Sequence, residues 1–415
     1  MHINLPLSPL IPVVNKYSTG FHKSVESKIN TSENFISSPF GAWLLLALVA
    51  KASEQKKYAN TQENLEEYLG MPIDEAFNYA FELLNTTPEV INTAAALWVD
   101  ELYSRYPFIT EWLDSFKDGV TFDKKIPSQA VLDQWASDET YGLIKEFPLE
   151  VKPDTKLIIA TAIATKISWI KEFTSVENKD LAIWNTKRIL KADDDHKQFL
   201  AKTEDGLFAV HINRSPDNLS VFSVIGDETL DAQVVLDNAH NIIESYLART
   251  LTPVSLFDID SNSFIKIKDG KRDQQIGMPV EDITSYIPSW DAKSEMNLTD
   301  SNGFEHVGQA FIKNTDVGGE VSVAQSAVAS YTRTGFEAAA VTAMMFRAAG
   351  MPRFGEVDFR HADVLFNHPY AVIAAYSRTS YYDEEKPTPE DYIWNGLPIF
   401  TAWIKKASES DTNAV

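Results

Sequence analysis

The chain has 415 residues, 44% of them hydrophobic and nine of them tryptophan, which is ample material for a substantial core. Its formal net charge of −22 argues against general binding to nucleic acid or anionic membranes, because both need clustered lysine and arginine. It contains no cysteine, which removes disulfides, thiolate metal sites and cysteine nucleophiles and leaves the redox compartment open.

The first twenty residues lack the basic start and continuous apolar centre of a secretion signal. The longest clearly apolar run, residues 42–50, is far short of a membrane span, so a soluble chain is expected. Its compartment would be extracellular if a signal once preceded residue 1, and cytoplasmic otherwise.

In chain order, Ser38-Pro39 marks a helix start. In residues 43–50 leucines and small residues crowd every face, which predicts a buried helix. Residues 51–69 are polar and rich in helix formers, and predict a solvated helix. TAAALWV at 93–99 and LIIATAI at 157–163 read as buried strands. From about residue 180 the pattern changes to short alternating runs with turn residues between them. Residues 207–212, 219–225 and 255–264 are strand candidates. No linker, composition break or repeat divides the chain, so one domain over 1–415 is expected. Helices first and strands later, without a βαβ rhythm, favour an α+β architecture around antiparallel sheet.

Catalytic constellations are missing. The sequence has no GxSxG, HExxH, GxGxxG or phosphate-loop GKS/GKT, and its eight histidines have no metal-ligand spacing. Asp193-Asp194-Asp195-His196 reads as a solvated loop rather than a cation site, since a lone cluster lacks converging ligands. Nothing assembles a nucleophile, a base and an oxyanion site, so neither an enzyme nor a cofactor is expected.

Residues 335–350, GFEAAAVTAMMFRAAG, are small and apolar with one acidic and one basic side chain. A packed core wants bulk, and an exposed loop wants polarity. Composition alone allows a short helix opening at Glu337, punctuated by Gly335 and Gly350. It also allows a segment that is exposed in one state and a buried strand in another.

Several separated segments together resemble the serpins, the serine protease inhibitor fold. NFISSPFGAWLLLAL at 34–48 is similar to the family's N-x-x-x-S-P segment running into a buried helix. QWASDETYGLI at 134–144 resembles its W-x-x-x-x-T-x-G-x-I helix end. TKLIIATAIATKISWIKEF at 155–173 resembles the central strand that finishes in W-x-x-x-F, matched by Trp169 and Phe173. FNHPYA at 366–371 and LPIFTAWI at 397–404 resemble the last two strands. Gly335, Phe336, Glu337, Ala338, Ala339, Ala340, Val341 and Thr342 are similar to the hinge pattern G-T-E-A-A-A-A-T of inhibitory members. Ala327 stands at the family's spacing ahead of Gly335.

The resemblance implies helices packed on a large, mainly antiparallel sheet with smaller sheets, and an exposed reactive loop at about 335–363. It also implies a metastable fold that traps a target serine protease in a covalent acyl complex. The loop is cut, and its hinge inserts as a new strand of the main sheet. The chain would act as a monomer, without cofactor or metal. On insertion Phe336, Ala338, Ala340, Thr342 and Met344 would share one face, a set without charge, as burial requires.

The sheet-opening region carried over from the family comprises Ser38, Gly41, Thr161, Trp169 and Gln325. Within it, Gln325 replaces a histidine, and Gly41 and Thr161 replace serine and asparagine. Phe336 stands where inhibitors carry Thr or Ser, and its bulk is expected to slow insertion. Fourteen residues on from Gly335, the bait bond falls at Ala349–Gly350, which suits elastase-like or subtilisin-like enzymes. The stretch from Gly335 to Phe366 is longer than in typical members, with the surplus expected at 351–363. Arg347 and Arg353 therefore remain alternative bait residues that would suit trypsin-like enzymes. A non-inhibitory binding or carrier role is the competing expectation.

Overall fold

The computed structural model describes residues 5–53, 59–116, 120–178, 184, 186–193, 196–275, 280–313, 323–336, 354–378 and 388–408. The N-terminal third builds a helical layer. Helix α1 (Ile11–Ser24) buries Val14, Tyr17 and Phe21, and α2 (Glu26–Ile29) adds one turn. After strand β1 (Phe35–Ser37), Ser38 caps α3 (Pro39–Ala50) by accepting the Gly41 amide at 3.0 Å. Pro39 is tolerated at the first position because that N–H has no helical partner. Every residue of α3 is buried, as its all-round apolar sequence requires. Helix α4 (Ala59–Leu69) is one-sided instead: Leu65 and Leu69 are buried, while Glu63, Asn64 and Glu67 are exposed. Helix α5 (Ile73–Asn85) packs beside it.

Strand β2 (Ile91–Val99), helix α6 (Pro107–Asp114), strand β3 (Thr121–Asp123), helix α7 (Gln129–Asp138) and strand β4 (Leu157–Thr165) follow. β2 lies between β3, which is parallel to it, and β4, which is antiparallel with Ala95 opposite Thr161. Helix α7 lies on this sheet, with Trp135 edge-on to Trp98 at 5.4 Å and Phe147 against both.

Strands β5 (Ile167–Ser168), β6 (Thr174–Glu177), β7 (Arg188–Ala192), β8 (Lys197–Thr203), β9 (Gly206–Arg214) and β10 (Leu219–Ile225) lead to helix α8 (Ala232–Leu247). Strands β11 (Ile265–Gln275), β12 (Glu281–Ile287) and β13 (Trp290–Asn297), helix α9 (Phe304–Lys313), and strands β14 (Ala324–Tyr331), β15 (Gly335–Phe336), β16 (Phe354–Leu365) and β17 (Tyr370–Tyr376) come next. Helix α10 (Pro389–Trp394) and strand β18 (Pro398–Ile404) close the described chain.

Three further sheets result, ordered β1-β18-β17-β10-β9-β8, β11-β16-β12-β7-β6 and β13-β14-β15-β5. β10, β17 and β18 are buried at every residue, which explains their continuous apolar runs. Helices and mainly antiparallel sheets thus combine as the sequence pattern predicts.

Two expectations are corrected. Residues 255–264 are a short turn and loop, not a strand. The Ser255 hydroxyl accepts the Phe257 amide at 3.1 Å, and Asn262 Oδ1 accepts those of Phe264 and Ile265, so side chains take the donors that a ladder would use. The surplus at 351–363 is also not simply loop. From Phe354 onward it is β16, paired along eleven residues with β11.

Candidate functional site

β4 runs into β5 with only Lys166 between them, so the two central sheets share one chain. β14 pairs with β13 over its full length, from Trp290↔Tyr331 to Asn297↔Ala324, and meets β15 only at Tyr331. β4 pairs with β2. Among the described residues no backbone pairing joins β14 to β4, and a gap opens between these two edges.

The upper part of the gap is lined by Ile163, Ala164 and Thr165 on one side, Val328 and Ala329 on the other, and Phe336 at its head. Lower down, Ile159 to Ile163 face Ala324, Gln325 and Ser326, with Gly41, Ala42 and Leu45 of α3 also lining it. Thr140 and Ile144, from the turn after α7, line both parts. The Thr140 hydroxyl donates to the Ala136 carbonyl at 2.6 Å and accepts the Ile144 amide at 3.0 Å. Gly142 takes the left-handed φ of 76° that the turn demands. The sequence pattern W-x-x-x-x-T-x-G-x-I is therefore the end of a helix laid across the gap.

At the head of the gap the chain turns sharply. The Thr332 amide and hydroxyl both donate to the Gly335 carbonyl, at 2.9 and 3.0 Å, and the Trp169 indole donates to the Thr332 carbonyl at 3.0 Å. The Trp169 and Phe173 amides bond the Thr334 and Arg333 carbonyls. This turn delivers Gly335 opposite Ser168, and Phe336 opposite Ile167 on one side and Tyr331 on the other. Gly335 and Phe336 thus form a short strand between β14 and β5.

Phe336 is 3% exposed and lies edge-on to Trp290 at 6.1 Å, and Trp290 stacks on Tyr331 at 5.6 Å. Tyr331 also packs against Trp169 and Phe173. Phe173 in turn stacks on His196, whose Nδ1 is 3.2 Å from His211 Nε2. Burial, with His196 beside it, holds His211 well below the usual histidine range, so it is neutral at physiological pH. His196 is therefore buried, not part of a solvated loop as its sequence context predicts, and among the described residues no group of acidic and histidine side chains is arranged to hold a metal.

The polar residues beneath the gap form a second knot. The Gln325 amide grips the backbone of Ser38 twice, accepting its N–H at 2.9 Å and donating to its carbonyl at 2.8 Å. The Ser38 hydroxyl donates to the Ile399 carbonyl at 2.7 Å. Thr161 Oγ1 reaches the Gly41 carbonyl only at 3.5 Å. A β-carbon at position 41 would stand 3.0 Å from both Ile163 Cδ1 and Ser38 Oγ, so the glycine makes room for its neighbours.

Ser38, Gly41, Thr161, Trp169, Gln325, Gly335 and Phe336 therefore converge on one gap, at its floor or its head. Glu337, Ala338, Ala339, Ala340, Val341, Thr342, Arg347, Ala349, Gly350 and Arg353 lie outside the described residues. Sequence reasoning missed the parts played by Tyr331, Trp290 and His211. Single aromatic and histidine residues in alternating strands give no local sign that they meet.

The Serpin (serine protease inhibitor) family model matches residues 14–189. An uncharacterized serpin-like protein of Thermococcus kodakarensis is 24% identical over 41% of this chain and 42% of its own length. One from Methanosarcina acetivorans is 22% identical over 48% of this chain and 50% of its own, so these matches span about half of each relative. One from fowlpox virus is 22% identical over 74% of this chain and 83% of its own.

Among solved structures, the thermophilic serpin tengpin in its native state superposes with a TM-score of 0.64 at 16% identity, over 98% of this chain and 96% of its own. Its latent state gives 0.63 at 14% identity, over 98% of this chain and 100% of its own. Thyroxine-binding globulin in complex with thyroxine gives 0.60 at 13% identity, over 96% of this chain and 99% of its own. The chain has the serpin fold, and its residues 14–189 match the serpin family model.

Proposed function

We propose that the protein is a suicide inhibitor of serine proteases, acting as a single domain. The observation that carries this reading is the short strand Gly335–Phe336, seated at the head of a gap whose two edges are otherwise unpaired with each other. Continuing that register takes one step back along β14 and β4 for each step along the hinge. Ala340, four steps on from Phe336, then falls opposite Ala327 and Ile163, each four steps back from Tyr331 and Ile167. Phe346 falls opposite Leu157, the first residue of β4. A strand filling the gap thus uses residues 337–346 and ends just short of Ala349, which supports the bait bond Ala349–Gly350.

The target's serine attacks the Ala349 carbonyl, the Gly350 amine leaves, and the protease stays on Ala349 as an ester. The freed hinge zips down the gap and carries the acyl-enzyme about 30 Å, the rise of a nine-residue strand. Small side chains let the hinge slip in at little cost in side-chain entropy.

Incubation with elastase-like, subtilisin-like and trypsin-like enzymes tests this, with N-terminal sequencing of the cut loop. A detergent-stable covalent complex and a cut after Ala349 are expected. A cut after Arg347 or Arg353 moves the bait bond, and cleavage by every enzyme without any adduct rejects inhibition.

A second reading, a non-inhibitory binding or carrier protein, draws support from the altered polar knot and from the similarity to thyroxine-binding globulin. It requires a cut chain that gains no stability.

A further inference from the structure

Helix α1 presents two unlike sides. Towards α8 it is closed by side-chain bonds: Asn15 Nδ2 donates to Glu244 at 2.8 Å, and the Thr19 hydroxyl donates to Asp237 at 2.7 Å. Towards α4 and α9 it borders a cavity of about 360 Å³, a size that suits a small metabolite. Helical spacing aims its walls. Lys16, Tyr17, Gly20 and Phe21 come from α1, and Asn64, Glu67 and Tyr68 from α4, at steps of three and four residues. Asn302 and His306 add the turn into α9 and the start of that helix. None of these residues borders the gap, so the cavity stands apart from the inhibition reading.

The cavity has an aromatic floor that is fixed in place. Tyr17 and Phe21 are both buried, and the Tyr17 hydroxyl donates to the Asn302 carbonyl at 3.1 Å. Asn302, left-handed at φ 59°, accepts from Ser24 Oγ and donates to Ser301 Oγ, each at 3.1 Å. The Tyr68 hydroxyl donates to Glu305 at 3.2 Å, and the Tyr68 ring centre lies 6.0 Å from that of His306. Glu305 in turn accepts the Gly303 amide at 3.0 Å. The rim is charged instead. Lys16 and Glu67 are exposed, and among the described residues neither makes an ion pair or a hydrogen bond. Opposite charges therefore stand ready on two walls of one cavity.

Gly20 adds an independent observation. Glycine inside a helix is less stable than alanine, and packing often explains one. Here a β-carbon would meet nothing within 4 Å, so close packing does not require the glycine. It leaves the α1 wall of the cavity without a side chain at that point. We propose that this cavity binds a free aromatic amino acid. The ligand's ring lies against Tyr17, Phe21 and Tyr68, its ammonium meets Glu67, and its carboxylate meets Lys16. A ligand with only one charge would leave the other wall unanswered, and this selects a zwitterion over a simple amine or acid.

Titration calorimetry on the full chain tests this with L-phenylalanine and L-tryptophan. Phenethylamine and phenylpropionate, which each carry one of the two charges, are the comparison. Saturable binding of an amino acid is expected, roughly tenfold tighter than that of either single-charge analogue. Glu67→Gln and Lys16→Met remove exposed charges and should each weaken binding by a similar factor. Gly20→Leu should abolish binding by filling the cavity. Its melting midpoint should stay at or above that of wild type, because leucine favours a helix, so the loss cannot be ascribed to unfolding. Failure of both amino acids to bind overturns the proposal. Equal binding of a single-charge analogue overturns it as well, because the two walls would not then be read together. Unchanged affinity in Gly20→Leu does so too, since the ligand would then sit elsewhere.

Discussion

At Phe336 the family pattern has a small hydroxyl residue, and a ring there looks like an obstacle to insertion. The structure gives the ring a seat instead, edge-on to Trp290 and walled by Tyr331. The substitution was legible in the sequence. Its accommodation was not, because Trp290 and Tyr331 come from different strands. Phe336→Ala should lower the free energy of unfolding by about 3 kcal/mol, as for other buried phenylalanines, read from denaturant titration. A loss near zero would mean that the first hinge pair contributes nothing to the resting state. Gln325 is a similar case. An amide offers its acceptor and donor side by side, which suits the two backbone groups of a single residue, Ser38. Gln325→Ala would leave the Ser38 N–H unpaired, while the Ser38 carbonyl keeps the Ala42 amide at 3.0 Å, and should cost about 1–3 kcal/mol, whereas Gln325→Glu should keep only the acceptor half.

At the scale of elements, legibility followed burial. The all-buried helix α3 and the strands β2, β4, β9 and β10 stand where apolar runs predict them, because a buried face imposes a pattern that is visible locally. β11 was invisible for the opposite reason. Beyond Ile267 its residues are charged or polar on both faces, since the ribbon runs past β12 into solvent. Its charges do not look like a strand, yet they make its seam sensitive to pH. The hydrogen bond to Asp363, and then that to Asp282, raise the His361 pKa against a burial that lowers it. Burial pushes the Asp363 carboxyl up, but His361 and Lys268 outweigh it and leave the pKa lowered. A raised histidine adds stability that is complete below its ordinary value near 6.5 and is lost as pH rises through the folded value. A lowered carboxyl adds stability that is present above about 3.9 and is lost as pH falls through the folded value. With Lys268, Arg272, Asp282 and Asp363 the charged groups around His361, protection of β16 amides from exchange should be greatest between about pH 4 and 6.5. His361→Gln should flatten the alkaline fall and shrink the acid one to the part that Lys268 sustains. An unchanged profile in that variant would remove His361 from the seam.

For the molecule as a whole, the order of separated motifs made the fold readable where no single motif would have sufficed, and the family model covers only residues 14–189. The gap itself could not be read from sequence, because it is a pairing that β14 and β4 do not make, and neither strand carries a sign of it. It is also the feature with the largest consequence for stability. In the resting chain the facing edges of β14 and β4 lack a common partner along almost their whole length. A hinge filling residues 337–346 would bond to both edges at once. About twenty new main-chain hydrogen bonds, at a net of roughly 0.5 kcal/mol each, would raise the unfolding midpoint by about 10 °C in a chain of this length. Calorimetry on protein cut within 337–353, with both fragments retained, should show that rise, and isolated wild type should not show it before cutting. The register also fixes which substitution abolishes the gain. Ala340→Asp would place a carboxylate between Ala327 and Ile163 without a partner, so the cut variant should melt close to the uncut one while the uncut protein keeps its wild-type midpoint. If cut Ala340→Asp were stabilised as much as cut wild type, the hinge would not be running down this gap.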